Sequence, residues 1–447
     1  MGNVPKEKSA NRFGVNLRWQ LIANAGQAFF GGLFILLLGR LLGPAEFGIF
    51  SAIVALVSVV SLVTDMRLHE VVARDFCHLD EGQWTKPTDR FYLVDLCILD
   101  GISRLLPCLL LVLFASHWGP MIQLAASNTT LLVLATVGFF FSRLSNNISV
   151  GLLRVLGRTD LIAFCTIGDW GLRLVTVMAV SMFTTLTVTV ALWTVALVSS
   201  LANFTQCLLT FRVLADRIGQ DFWLGWRFEK IISRLRQASR MVFASMGLSA
   251  SELMAKDLDI ALLARLLSED KVGVYKMAKT AIQLLWRAID PFYLAIMPEV
   301  QKLWQKNDFT GLKRLLVRTS LFLAGLAVLL TGLGYGGALW LVEPFLGEGF
   351  KEVPGLMLVM SPWVILCAPI IWGLSLSIAV NRPEFATYGS FIGLLIGLIS
   401  YNKLTPLYGL NGAAIAWNLT LLSGMLLTFI LSVTFASQHV SHLQKPE

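Results

Sequence analysis

Apolar runs of about twenty residues or more, separated by short polar breaks, follow one another along almost the whole chain. A run of that length lets an α-helix cross about 30 Å of hydrocarbon at about 1.5 Å per residue. Strands of a membrane barrel would be about ten residues long and alternate in polarity, which is not the pattern seen. In lipid every backbone polar group needs an internal partner, so helices follow. The pattern predicts about twelve transmembrane helices, over residues 19–41, 46–66, 92–116, 121–142, 160–182, 187–211, 241–264, 273–297, 315–342, 354–380, 384–402 and 409–435. The fold class is therefore all-α and polytopic. The seventh and eighth runs carry the most charge. Pro107, Pro291, Pro298, Pro362 and Pro369 fall inside spans, where each removes a backbone donor and permits a kink.

Composition agrees. Of 447 residues, 56% are apolar and 14% charged, with a mean hydropathy of +0.70; a soluble domain carries about a quarter charged residues. Residues 1–18 are polar and basic, and the first apolar run has full membrane length, unlike a cleavable signal peptide. The cysteines have no metal-ligand spacing and read as small buried residues.

Charge sets the orientation. With the N-terminus inside, the cytoplasmic loops collect clusters such as Arg67, Arg74, Lys86 and Arg90, then Arg212, Arg217, Arg227, Lys230, Arg234, Arg236 and Arg240, then Lys302, Lys306, Lys313, Arg314 and Arg318. The opposite side holds only Arg40, Arg265, Lys271, Lys351 and Lys403. The positive-inside rule then places both termini in the cytoplasm. The net charge of +8 is explained by anionic headgroups facing the basic loops, with no need for a nucleic-acid partner. The longest loop divides the chain into a tail (1–15), a lobe of six spans (16–211), a basic linker (212–240), a second lobe of six (241–436) and a C-terminal tail (437–447). That linker mixes basic residues with Phe222, Trp223, Trp226 and Phe228, and reads as an interfacial segment joining the two lobes, with a solvated basic loop as the alternative.

Charged residues inside spans are costly and face a partner or a cavity. Asp100 and Arg104, Asp169 and Arg173, and Glu252 and Lys256 are each four apart, and Arg287 and Asp290 three apart, so each pair shares a helix face and can neutralise itself. Lys276, Lys279, Gln283, Arg287 and Asp290 form one polar stripe about 21 Å long at about 1.5 Å per residue. Glu252, Lys256 and Asp259 form a shorter row on the preceding span. Two readings stand: an inter-helix salt-bridge network, or the lining of a hydrated, cation-rich chamber. In the first span Asn16, Gln20, Asn24 and Gln27 make an uncharged stripe, and Asn203 and Gln206 lie three apart in the sixth. Such amides serve either helix packing or sugar hydroxyls.

Four segments then resemble one family. They are Gly39-Arg-Leu-Leu-Gly-Pro-Ala-Glu-Phe-Gly-Ile-Phe50, Leu152-Leu-Arg-Val-Leu-Gly-Arg158, Asp257-Leu-Asp-Ile-Ala-Leu-Leu-Ala-Arg-Leu-Leu267 with Val272-Gly-Val-Tyr-Lys-Met-Ala-Lys279, and Tyr408-Gly-Leu-Asn-Gly-Ala-Ala-Ile-Ala416. In this order they are similar to the bacterial polysaccharide transporters of the multidrug/oligosaccharidyl-lipid/polysaccharide exporter superfamily. Some members have fourteen spans, two more than here. The resemblance implies two six-helix bundles around a central cavity in the bacterial inner membrane. It also implies a flippase for a polyprenyl-pyrophosphate-linked oligosaccharide, feeding O-antigen, capsule or exopolysaccharide assembly with a polysaccharide polymerase as a candidate partner.

A pyrophosphate is bound well by charge-assisted hydrogen bonds. The expected anion-binding set is Lys276, Lys279 and Arg287, with Lys256 and Gln283, and with Arg104 and Arg173 from the N-terminal lobe. Asp100, Asp169, Glu252, Asp259 and Asp290 would balance charge or carry a coupling proton or sodium ion. Asn16, Gln20, Asn24 and Gln27 would meet the sugar. No cofactor, metal site or catalytic residue is expected, since no phosphate-cradling glycine loop, triad or metal cluster is present in the sequence. The competing functions are a cation-coupled small-molecule antiporter, which would want an acidic chamber, and a membrane polymerase or ligase, which would want a large outer loop. The outer loops have about four to twelve residues on the topology drawn from positive-inside asymmetry.

Overall fold

The computed structural model describes residues 6–76, 87–121, 129–218 and 257–443. Among them there is no strand; every regular element is a helix. The order is α1 (Lys6–Val63), α2 (Leu68–Asp75), α3 (Pro87–Leu113), α4 (Ala115–Met121), α5 (Thr129–Arg143), α6 (Asn146–Val155), α7 (Thr159–Phe183) and α8 (Val188–Ile218). It continues with α9 (Leu258–Leu266), α10 (Glu269–Arg287), α11 (Asp290–Gln305), α12 (Phe309–Leu346), α13 (Val353–Cys367), α14 (Trp372–Ala379) and α15 (Glu384–Leu443).

Eight helices among the described residues are long and apolar enough to cross a membrane. Two of these are doubled. α1 breaks at Gly43 (φ 74°), and α15 at Gly409 (φ 57°). Positive φ is open to glycine at little cost, and Pro44 lacks the N–H that would continue the ladder. Each limb is long enough to span, so the predicted first, second, eleventh and twelfth spans are accommodated. Large apolar side chains lie bare on the helices, Phe183 at 86% and Trp340 at 81% exposure. In water such a belt would be unfavourable; in hydrocarbon it is the natural surface.

Three predicted spans are redrawn. The fourth (121–142) is instead α5 followed by α6, reaching Val155, with Ser145 in the left-handed region between them. The eighth (273–297) is two helices: α10 stops at Arg287 and α11 starts at Asp290, with Pro291 in its first turn. Proline has no N–H to give the carbonyl four residues back, here that of Arg287, and its fixed φ suits the first turn of a new helix. The tenth (354–380) is split by a 3-10 turn, Ala368–Ile370, around Pro369. The predicted seventh span and the linker fall largely outside the described residues.

The chain clusters into two compact units. One comprises Met1–Leu41 and Leu56–Ala250; the other comprises Leu42–Ala55 and Ser251–Glu447. Leu42–Ala55, drawn in the sequence within the N-terminal lobe, thus groups with the C-terminal half. In the first unit a core of Leu68, Val71, Val72, Phe76, Leu93, Leu96, Ile148 and Leu152 locks α2 onto α3 and α6. In the second, the Leu42–Ala55 segment packs on the start of α10 backbone to backbone. A Cβ on Gly48 would come 1.8 Å from the carbonyl oxygen of Glu269, and one on Gly273 would come 2.1 Å from that of Pro44. Phe47 meets Phe350 edge-on at 6.3 Å beside this contact. Two of the glycine-bearing segments noted in the sequence are therefore two sides of one close helix contact, which leaves no room for a side chain.

Candidate functional site

In the first unit, three elements bring charge together. Arg104 on α3 reaches across to Asp65, in the turn after α1, with Nη2 2.9 Å from Oδ1. Its i−4 neighbour Asp100 is farther, 3.7 Å from Nε to Oδ1. Asn147, near the start of α6, donates from one amide nitrogen to both carboxylates, at 3.0 Å to Asp65 and 3.2 Å to Asp100. The Arg67 backbone N–H adds a third donor to Asp65. Asp100 is wholly buried, and its Oδ2 has no hydrogen-bond partner among the described residues. Asp65 and Asn147 were not legible as site residues, because one sits at a span end and the other is a lone amide far away in sequence.

On α7 the expected i,i+4 pair forms: Arg173 donates from Nε to Asp169 Oδ1 at 2.8 Å and from Nη2 to Oδ2. Its guanidinium also lies 4.4 Å over the Trp170 ring, a cation–π contact. Trp170 in turn packs on Phe34 and over Gly31 of α1.

Arg104 and Arg173, expected to hold an external anion, are therefore each committed to a carboxylate. A third arginine, Arg143 at the end of α5, was not among the expected site residues. It lies within electrostatic reach of Arg104, Arg173, Asp65 and Asp169. Its guanidinium lies 5.2 Å over the Phe139 ring, with no carboxylate at ion-pair distance among the described residues.

The amides divide by use. Asn203 on α8 donates to the carbonyls of Phe141 and Leu144 at 3.1 and 2.8 Å, closing the end of α5. Gln206 donates to Asn146 at 3.1 Å. Both serve helix packing. In α1, Gln20 and Gln27 are half-buried and Asn24 is exposed, while the side chain of Asn16 lies outside the described residues.

In the second unit, the ammonium of Lys279 sits 2.7 and 2.8 Å from the two oxygens of Asp259, with neither side chain exposed. Tyr275 donates its hydroxyl to Asp259 Oδ2 at 2.8 Å and meets the Tyr401 hydroxyl at 2.9 Å. Lys279, expected in the anion-binding set, is instead sealed in an internal ion pair. Burial without an opposite charge would be prohibitive, and α9 supplies that charge one helix away. Lys276 pairs with Asp257 at 3.1 Å and is partly open. Gln283 is half-buried, and Arg287 is exposed with no carboxylate at ion-pair distance among the described residues. Asp290 begins α11, so it does not close the polar row of α10 as expected. Lys256 and Glu252 lie outside the described residues. No group of three or more metal-ligating side chains occurs among the described residues.

The fold matches solved transporters over almost its whole length. A multidrug resistance MATE family transporter of the MOP superfamily, in an inward-facing conformation, superposes with a TM-score of 0.65 at 14% identity, covering 97% of this chain and 96% of that one. The lipid II flippase MurJ, in an inward closed conformation, does so with the same score and identity, over 94% and 87%. A MOP superfamily transporter from Pyrococcus furiosus, described as having a binding pocket of reversed polarity, matches with a TM-score of 0.51 at 14% identity, over 97% and 96%. No curated protein matches the chain. The model of one family, the polysaccharide biosynthesis proteins, matches residues 14–304. On that match this chain belongs to the polysaccharide biosynthesis protein family, built on the fold of the MOP superfamily.

Proposed function

We propose that this protein transports a polyprenyl-pyrophosphate-linked oligosaccharide from the cytoplasmic to the outer leaflet of the bacterial inner membrane, for O-antigen, capsule or exopolysaccharide assembly. The observation that carries the reading is two cations on the second unit's α10, Lys276, partly open beside Asp257, and Arg287, exposed, in a chain of the polysaccharide biosynthesis family. A pyrophosphate is the anion such groups bind best in a low-dielectric setting. That a lipid II flippase shares the fold supports a lipid-borne cargo. In this reading Gln20, Asn24 and Gln27 serve the sugar, and Asp100, with one buried oxygen unpartnered, takes a coupling proton. Both termini lie in the cytoplasm, where the basic loops meet anionic lipid.

The test is the leaflet location of the lipid-linked intermediate. Deleting the gene is expected to trap complete repeat units on the inner leaflet, and single replacement of Lys276 or Arg287 by glutamine to reproduce part of that block at normal protein levels. Normal glycan export by both variants removes α10 from the site. Single units accumulating on the outer leaflet of the deletion strain overturn the reading in favour of a polymerase.

A further inference from the structure

We infer that Arg143 is the anion-contacting cation of the first unit, and that its ligand is the pyrophosphate of a lipid-linked substrate; the inference rests on the flippase reading and adds a residue to its site. Two other guanidinium groups, those of Arg104 and Arg173, lie within electrostatic reach of Arg143. Both are already spent. Arg104 is held by Asp65 and Asp100, and Arg173 by both oxygens of Asp169 and the face of Trp170. The two carboxylates within electrostatic reach of Arg143 are engaged as well, Asp65 with Arg104, Asn147 and a backbone N–H, and Asp169 with Arg173.

Among the described residues Arg143 has no hydrogen-bond or ion-pair partner for its fork of donors, and only the face of the Phe139 ring lies under its guanidinium. The end of α5 does not use them, because Asn203 already caps the carbonyls of Phe141 and Leu144. Its side chain is open to solvent, yet charges from the turn after α1, from α3 and from α7 surround it. Openness combined with dense surroundings describes a recess, not a convex surface. A cation in such a place, repelled by two others and lacking a bound carboxylate, gains most from an anion brought from outside. A planar guanidinium presents two parallel N–H groups, which fit two oxygens of a phosphate and give more than a point charge would. Asn203 is then a positioning residue: it fixes the break at Leu144–Ser145 and so the direction in which Arg143 leaves the helix.

The experiment uses the full-length protein in zwitterionic nanodiscs, with farnesyl pyrophosphate as lipid-borne probe and inorganic pyrophosphate as free probe. The wild type is expected to bind farnesyl pyrophosphate, and Arg143→Gln to weaken that binding about tenfold or more, the loss typical of a hydrogen bond to a charged group. Arg143→Lys, which keeps the charge but not the fork, is expected in between; it carries the test if Arg143→Gln does not accumulate. Arg158→Gln, which removes an exposed cation paired with Asp160, should leave binding unchanged. Wild-type affinity in Arg143→Gln overturns the inference, as does a wild type that binds neither probe. Inorganic pyrophosphate bound as tightly as the farnesyl ester overturns the lipid-borne assignment. The flippase reading is judged separately, by the leaflet assay of the deletion strain, which does not involve Arg143.

Discussion

Lys279 and Asp259 form a fully buried ion pair, with the ammonium 2.7 and 2.8 Å from the two carboxylate oxygens and the Tyr275 hydroxyl completing the shell. Removing one partner of such a pair strands the other, at about 3–5 kcal/mol. Lys279→Met or Asp259→Leu alone should therefore sharply lower the thermal unfolding temperature of the detergent-solubilised protein. The double replacement should recover most of the loss, because an apolar pair of similar volume carries no desolvation cost. Unchanged stability in Lys279→Met, with a selective loss of transport, would return the lysine to the transport site.

A backbone contact governs the second test. Gly48→Ala and Gly273→Ala each drive a methyl into a carbonyl oxygen that belongs to a helix backbone and cannot rotate away. Overpacking of this kind costs about 1–3 kcal/mol and occasionally more. Gly325→Ala, in the middle of α12 with nothing within 4 Å of the added carbon, should be neutral or gain up to about 1 kcal/mol from helix propensity. The readout is the fraction of monodisperse protein by size exclusion and its unfolding temperature. If Gly48→Ala matches Gly325→Ala, the close contact does not hold the fold.

The kink at Pro362 gives the third. Proline cannot donate, so the carbonyl of Leu358 is taken up by the Ser361 hydroxyl at 2.8 Å. One step on, the bond from Trp363 N–H to the Val359 carbonyl is replaced by an inserted side chain. Trp363 N–H donates to Asn418 Oδ1 at 3.1 Å, and Asn418 Nδ2 donates to the Val359 carbonyl at 2.6 Å. Asn418→Leu should cost about 2 kcal/mol or more by leaving two backbone groups without partners away from water. Adding Pro362→Ala should restore part of it by letting the helical ladder close. The check is thermal unfolding of both variants; equal losses in the single and double variants would show that the asparagine does not compensate the proline.

Much of this architecture could be read directly. Residue runs long enough to cross hydrocarbon announced the spans, and the gaps drawn between 41 and 46 and between 402 and 409 fall at or beside the breaks within the two doubled helices. The Asp169–Arg173 pair was visible because partners four residues apart on a helix have little choice but to meet. The polar row on α10 was overdrawn, since its last member lies beyond a break that a proline one residue later imposes.

Hydropathy by itself determines that the chain crosses a bilayer as helices, because the cost of an unsatisfied backbone in lipid leaves so few solutions. Which cation is quenched and which stays open is a different matter. Arg104 prefers Asp65, 39 residues away, over its own helical neighbour, and Lys279 finds Asp259 across a helix hairpin. Beside Arg143, Asn203 from another helix takes up the carbonyls of Phe141 and Leu144. Coulomb energy in a low-dielectric interior depends on separations of a few ångström between helices, and those separations exist only once the helices have packed.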